Sequence, residues 1–348
     1  MNACESILGL SPYQGGKPIE ELARELGLTK ISKLASNENP LGISIKVKKA
    51  INDSLSSINR YPDGNCFELK KAIATKHNVT SEMISLGNGS NELLELIARV
   101  FVSKQTDEVI FSQYAFVVYP LVTQALGATA VVSPAKNFGH DLDSMLSMIT
   151  TNTKLIFVAN PNNPTGTLLS DDDVYSFLKQ VPEDIPVVLD QAYFEYLNID
   201  DNAIQWLNEF NNLIITRTFS KAYGLAGLRV GYFIGPKNVA DAVRKTAVPF
   251  GVSNIAQAAA VASLEHESEL FKRVDEVIAE RRWFESELAG LGFKLAPSQA
   301  NFVWLALGER TEEFAKRSED IAVSIRPFPG EGVRISIGER QALERVIE

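Results

Sequence analysis

A lysine stands just past an apolar run in Thr218-Phe219-Ser220-Lys221, and Arg229 follows eight positions later. An amine near a strand end can form a Schiff base if its surroundings lower its pKa. The hydroxyls of Thr218 and Ser220 and the guanidinium of Arg229 have the chemistry to hold a phosphate. Upstream, Asp190 ends the run Val187-Val188-Leu189, and Tyr193 comes three residues after it. A carboxylate there either caps a helix or faces a cationic ring nitrogen, with the tyrosine hydroxyl directed at a neighbouring oxygen. In Asn160-Pro161-Asn162-Asn163-Pro164-Thr165-Gly166, two Asn–Pro steps force extended or turn backbone. An asparagine such as Asn163 then either donates to a ligand oxygen or simply builds the turn. Lastly, Gly87-Asn88-Gly89-Ser90-Asn91-Glu92 precedes a helical run, where free backbone amides make a phosphate seat. Glu92 occupies the position of a third glycine, so this loop is not a dinucleotide fingerprint.

Elements of a definite kind must carry these groups. Short aliphatic or β-branched runs at Glu108–Phe111, Thr129–Val132, Lys154–Ala159, Pro186–Leu189, Leu213–Thr216 and Arg229–Ile234 read as buried strands. They alternate with helical patterns at Asn91–Val102, Asp171–Gln180 and Asn202–Phe210. That alternation predicts an α/β fold with a mostly parallel central sheet covered by helices, and ligand loops at the strand ends. Beyond Pro249 an alanine-rich helix at Ser253–Leu264 and a charged amphipathic segment at Glu265–Leu291 lead into strands at Ala300–Ala306 and Val333–Ile337. This predicts a smaller α+β domain. The expected division is an N-terminal arm over 1–40, a large domain over 41–250 and a small domain over 251–348. The final run, Glu339 to Glu348, starts a helix that stops after ten residues and reads as incomplete.

Composition narrows the function classes. The chain has 348 residues, 45% hydrophobic and 22% charged, which is too long for one ordinary core and neither disordered nor fibrous. A net charge of -9 argues against broad nucleic-acid binding while leaving room for a local phosphate pocket. Two cysteines and three scattered histidines give neither a disulfide framework nor metal-ligand spacing. The segment from Val109 to Ala135 carries no charge, yet Pro120, Gly127 and its polar residues suit a strand, helix and strand rather than a membrane span. No basic leader precedes the short apolar stretch from Ile7, so a cytoplasmic, reducing location is expected.

The order and spacing of the three motifs around Asn163, Asp190 and Lys221 resemble those of fold type I pyridoxal-phosphate aminotransferases, most closely the histidinol-phosphate aminotransferases. Leu34-Ala35-Ser36-Asn37-Glu38-Asn39-Pro40 and Asn59-Arg60-Tyr61-Pro62-Asp63-Gly64 extend the resemblance over nearly the whole chain. By that resemblance Lys221 forms the Schiff base with the cofactor and shuttles the proton. Asp190 pairs with the pyridinium nitrogen, while Tyr193 and Asn163 bond the ring's phenolic oxygen. Gly89, Ser90, Asn91, Thr218, Ser220 and Arg229 hold the cofactor phosphate, although many relatives carry Asp where Asn91 stands. Phe116 aligns with the residue that stacks on the ring, with Tyr114 its competitor. Arg334 binds the carboxylate of glutamate or 2-oxoglutarate and, in the other half-reaction, the phosphate of histidinol phosphate. Arg326 aligns with a second basic residue, and Tyr13 and Tyr61 with active-site tyrosines. The equivalent of Tyr61 reaches the neighbouring subunit's cofactor phosphate, so the resemblance implies a homodimer with shared sites. Aromatic amino-acid transfer and threonine-phosphate decarboxylation are alternatives on the same scaffold. A non-catalytic regulatory module is disfavoured, because the match leaves no room for a DNA-binding domain and Lys221 is intact.

Overall fold

The computed structural model describes residues 3–11, 21, 23–24, 27, 31–197, 199 and 201–348. The expected site residue Tyr13 lies outside them. The strands of the two main sheets are, in chain order, β1 (Ser32–Leu34), β2 (Ile84–Gly87), β3 (Glu108–Ser112), β4 (Thr129–Ser133), β5 (Thr153–Ala159), β6 (Val187–Asp190), β7 (Leu213–Thr218), β8 (Gly231–Ile234), β9 (Phe302–Ala306), β10 (Val323–Phe328) and β11 (Gly332–Ser336).

The large sheet has seven strands in the order β2-β8-β7-β6-β5-β3-β4. Neighbours from β4 across to β7 are parallel, and β8 runs antiparallel to both β7 and β2. Both faces of the inner strands are buried, which is why they read as continuous apolar runs, while the edge strand β4 is largely exposed. Side chains alternate between the faces. Ile110, Ile156, Val158, Val187 and Ile215 pack with the helices Phe67–His77, Asp171–Gln180 and Asn254–Glu265. Val109, Leu155, Phe157, Val188 and Ile214 pack on the other side with Ser90–Phe101, Val118–Ala125 and Lys237–Thr246. The uncharged segment from Val109 is thus β3, a helix and β4. No helix among the described residues is long and apolar enough to cross a membrane.

The small sheet has four strands in the order β1-β10-β11-β9, backed by the long helix Glu267–Gly290 through Val274, Val277, Phe284 and Leu288. Tyr193, Tyr196 and Ala222, which follow β6 and β7, join this second core, so the two sheets meet where the candidate chemistry lies.

Packing departs from the expected boundaries at both ends of the large domain. β1 falls within the expected arm yet pairs in parallel with β10, Ser32 opposite Val323. The Asn254–Glu265 helix lies past residue 250 yet buries Ala256, Ala259 and Ala260 in the large-sheet core with Val47, Leu69 and Ile73. Alanine at these positions lets the helix sit close to its neighbours. Ala260 is fully buried, so Ala260→Leu overpacks the large core and should destabilise the protein by about 1–3 kcal/mol, read as a lowered urea midpoint. An unchanged midpoint would place that helix outside the core.

Candidate active site

The parallel strands β2, β3, β5, β6 and β7 end at one edge of the large sheet. Because β8 is reversed, its entry also lies there, bringing Arg229 beside the residues that follow β7. A cavity of about 240 Å³ opens at this edge, between the large sheet and β11 of the small one. An open sheet offers its loops to a ligand at this place.

One end of the cavity is built for an anion. The Ser90–Phe101 helix begins there with Gly89 at φ 85° and no side-chain cap, so its first amides are available to a ligand. Ser90, Asn91, Thr218, Ser220 and Arg229 line the same end. Arg229 itself has φ 53° and donates to Ser220 Oγ at 3.3 Å and to the Ala226 carbonyl at 3.1 Å. A Cβ on Gly89 would stand 2.4 Å from the Arg229 guanidinium, and one on Gly231 would stand 2.5 Å from the Ser90 amide nitrogen. Both glycines are therefore required for the arginine, the helix start and β8 to approach one another.

Asp190 lies deeper, where burial pushes its carboxyl up against the opposing effect of its hydrogen bonds. It accepts from Tyr119 at 2.8 Å and from Thr216 at 3.0 Å. Tyr119 stacks on Phe157 and meets Phe116 edge-on. Phe116 lines the cavity. Tyr114 packs instead against Phe138 and Trp304.

On the small-sheet side, Arg334 is buried and holds the Ala35 carbonyl at 2.7 Å and Asn163 Oδ1 at 2.6 Å. With its oxygen bonded to Arg334, the Asn163 amide keeps its N–H groups as the donors it can offer the cavity it lines. Tyr193 lines the cavity too, and its hydroxyl accepts from Asn37 at 2.9 Å. Lys221 donates to the Ser36 carbonyl at 3.2 Å. Burial lowers its pKa to about 8, and the cations Arg334 and Arg229 push the same way while Glu38 opposes them. An amine tuned to this range is a nucleophile near neutral pH.

Two expected residues stand apart from this cavity. Tyr61 is 82% exposed and stacks on Phe250 at 4.8 Å. Arg326 sits opposite Arg334 in the β10–β11 pairing but does not line the cavity. Conversely, Tyr119, Thr216, Ser36 and Asn37 contribute without having been singled out as site residues. Tyr119 follows Phe116 by three positions, and Ser36 and Asn37 lie within a motif noted for its resemblance alone.

Comparison with known proteins gives the site its context. The sequence profile described as Aminotransferase class I and II matches residues 29–348. The chain belongs to the class I and II aminotransferase family. Similar relatives of this aminotransferase include histidinol-phosphate aminotransferase 1 of Idiomarina loihiensis, 46% identical over 97% of this chain and 95% of that protein. Histidinol-phosphate aminotransferase of Methylobacillus flagellatus is also 46% identical, over 99% and 95%. Among solved structures, histidinol-phosphate aminotransferase from Sinorhizobium meliloti in complex with pyridoxal-5'-phosphate has a TM-score of 0.89, with 28% identity over 99% of this chain and 95% of that one. Thermus thermophilus aspartate aminotransferase with maleate superposes with a TM-score of 0.82 at 21% identity, covering 100% of this chain and 98% of that one, a likeness of fold.

The contact between Gly231 and Ser90 lets the anion seat of this aminotransferase be tested. Gly231→Ala forces β8 from the helix start, so affinity for pyridoxal phosphate should fall about tenfold and stability by about 1–3 kcal/mol. Cofactor titration and urea unfolding measure the two effects. Unchanged affinity would show that the helix start does not hold the phosphate.

Proposed function

We propose that this protein is a pyridoxal-phosphate-dependent histidinol-phosphate aminotransferase of histidine biosynthesis. It interconverts histidinol phosphate plus 2-oxoglutarate with imidazole-acetol phosphate plus glutamate, in two alternating half-reactions. The observation that carries the enzyme class is the convergence of the Lys221 amine, the buried Asp190 carboxylate and the anion seat on one cavity. The choice of substrate is supported by similarity to proteins of that name over nearly the full chain.

The donor set suits this cofactor end to end. The uncapped helix start with Ser90, Asn91, Thr218, Ser220 and Arg229 would hold its phosphate. Asp190 would pair with the ring nitrogen, with Tyr119 and Thr216 donating to its carboxylate. Phe116 would cover one ring face, and Tyr193 and Asn163 would bond the phenolic oxygen. Pyridoxal phosphate supplies an aldehyde for the amine and a protonated ring that accepts an electron pair.

In this reading Lys221 Nζ would hold the cofactor and, when freed, would carry the proton from the substrate carbon that bears nitrogen to the carbon that had borne the aldehyde oxygen. Its lowered pKa keeps a share of the amine neutral at neutral pH, as both tasks require. Arg334 binds a carboxylate in one half-reaction and a phosphate in the other, since a guanidinium pairs with either oxyanion through parallel hydrogen bonds. Arg326, opposite it on β10, adds a second positive charge for the substrate phosphate. Tyr13 would complete the substrate side.

Tyr61 would act in a homodimer, reaching the cofactor phosphate of the other subunit. Its exposure, with that of its stacking partner Phe250, supports this arrangement. A cytoplasmic location accords with the expected pathway.

Mixing the holoprotein separately with histidinol phosphate and phenylalanine in single turnover, followed by cofactor absorbance, tests the assignment. Histidinol phosphate should react with far higher k/K. Comparable or faster reaction with phenylalanine would make the protein an aromatic amino-acid aminotransferase. Lys221→Ala should lower turnover by about 10³-fold or more while cofactor binding remains detectable. Near-normal turnover would overturn the role given to the lysine.

The amine also predicts a pH dependence. Since its pKa is lowered to about 8, the neutral nucleophile is the minor form below that pH and dominates above it. Capture of pyridoxal phosphate by apoprotein should accelerate by about tenfold per pH unit below the pKa and level off above it, as stopped-flow absorbance would show. A rate still rising steeply above pH 9.5 would mean an ordinary lysine.

A further inference from the structure

Asn37 is 1% exposed, carries a left-handed backbone at φ 55°, and joins the two sheets from a segment outside the three motifs around Asn163, Asp190 and Lys221. Its side chain donates from Nδ2 to the Tyr193 hydroxyl at 2.9 Å. Its backbone N–H donates to Ser336 Oγ at 2.8 Å, and Ser336 Oγ donates to Asn37 Oδ1 at 2.8 Å. The Asn37 carbonyl accepts from Asn301 Nδ2 at 3.0 Å. The two preceding carbonyls are also engaged, Ala35 by Arg334 and Ser36 by Lys221. Three consecutive peptide groups thus brace the arginine, the lysine and the asparagine beneath the cavity.

The polarity of this chain of hydrogen bonds follows from its start. A backbone N–H can only donate, so Ser336 Oγ accepts there, and its own proton goes to Asn37 Oδ1. Turning the amide over would leave that buried hydroxyl proton facing an N–H₂ group, with no other acceptor among its hydrogen bonds. The N–H₂ end of Asn37 therefore faces Tyr193 as a donor, and the tyrosine must use its own proton elsewhere. Tyr193 lines the cavity.

We propose that Asn37, oriented by Ser336, is a positioning residue that sets the direction of the Tyr193 hydroxyl proton and so makes the tyrosine a hydrogen-bond donor to the cofactor's phenolic oxygen. This rests on the reading of the cavity as a pyridoxal-phosphate site. A donor at that oxygen favours its anionic form, which lowers the pH at which the lysine-bound cofactor loses its proton. Asn37 also lines the cavity, but its amide donates to the Tyr193 hydroxyl, so its effect on that proton should vanish where the tyrosine hydroxyl is absent.

The test is a pH titration of holoenzyme absorbance in wild type, Asn37→Gly, Ser336→Ala, Tyr193→Phe and the Asn37→Gly/Tyr193→Phe pair. Glycine accepts the left-handed backbone and removes only the side chain. The charged groups around the chain, Lys221, Arg334, Glu38, Arg229, Lys33 and Asp190, are unchanged in every variant. The spectroscopic midpoint should rise by about 0.5–1 pH unit in Asn37→Gly, the size expected for one lost hydrogen bond. It should rise in the same direction in Ser336→Ala, which retains both Asn37 and Tyr193. In the Tyr193→Phe background the Asn37 change should add less than about 0.2 unit, since the coupling runs through the hydroxyl. No shift in Asn37→Gly or Ser336→Ala, or an equal shift with and without the tyrosine hydroxyl, would overturn the positioning role. Failure of wild type to take up the cofactor would instead overturn the functional reading on which it rests.

Discussion

Because β3 to β7 share one direction while β8 runs against them, several strand ends and one strand entry open onto the same edge of the large sheet. The chemistry depends on this polarity. It sets Asp190, Lys221 and the Asn160–Thr165 loop side by side from segments distant in sequence. The reversed strand matters as much, since a parallel β8 would enter the sheet from the opposite edge and take Arg229 away from Ser220. The inner parallel strands β3, β5, β6 and β7 are buried on both faces, so their apolar side chains fix the sheet while the residues just beyond their ends are left to carry polarity.

That edge concentrates charges that need one another's compensation. Lys221, Arg229 and Arg334 share a cavity with the buried Asp190 carboxylate. Two neutral hydroxyls, from Tyr119 and Thr216, satisfy the carboxylate without cancelling its charge, so it remains able to face a cation. Arg229 is held by the Ser220 hydroxyl and the Ala226 carbonyl, and Arg334 by the Ala35 carbonyl and Asn163. A cavity lined by Lys221, Arg229 and Arg334 attracts anionic ligands.

Much of this was readable in the chain. The strands β3 to β9 announced themselves as aliphatic runs, and the three motifs carried Asn163, Asp190, Lys221 and Arg229 because each follows such a run. β1, β2 and β10 were not singled out. β1 has three residues, β2 places Ser85 and Gly87 among four, and β10 contains Arg326 and Pro327, a pair that looks like a loop. Pro327 is tolerated there near the end of its strand, where β10 pairs with β11. Tyr119, Thr216 and Asn37 were hidden for another reason. Their roles depend on partners 71, 26 and 156 positions away, and no local pattern records such distances. Tyr61 presents the reverse case, a residue marked by its motif whose solvent-facing place within one chain gives it no cavity to line.

The pairing of β1 with β10 and the bond between Asn37 and Ser336 also set an order of assembly. Ser32 must wait for Val323, and Asn37 for a residue 299 positions further on. As the chain leaves the ribosome, the large sheet has all its strands by residue 234, whereas the carbonyls that brace Lys221 and Arg334 find their frame only once β10 and β11 have emerged. Contacts of such long sequence separation form slowly and late. A nascent chain therefore carries its lysine on the strands of the large sheet before Arg334 and the strands that frame the Ser36 carbonyl have arrived.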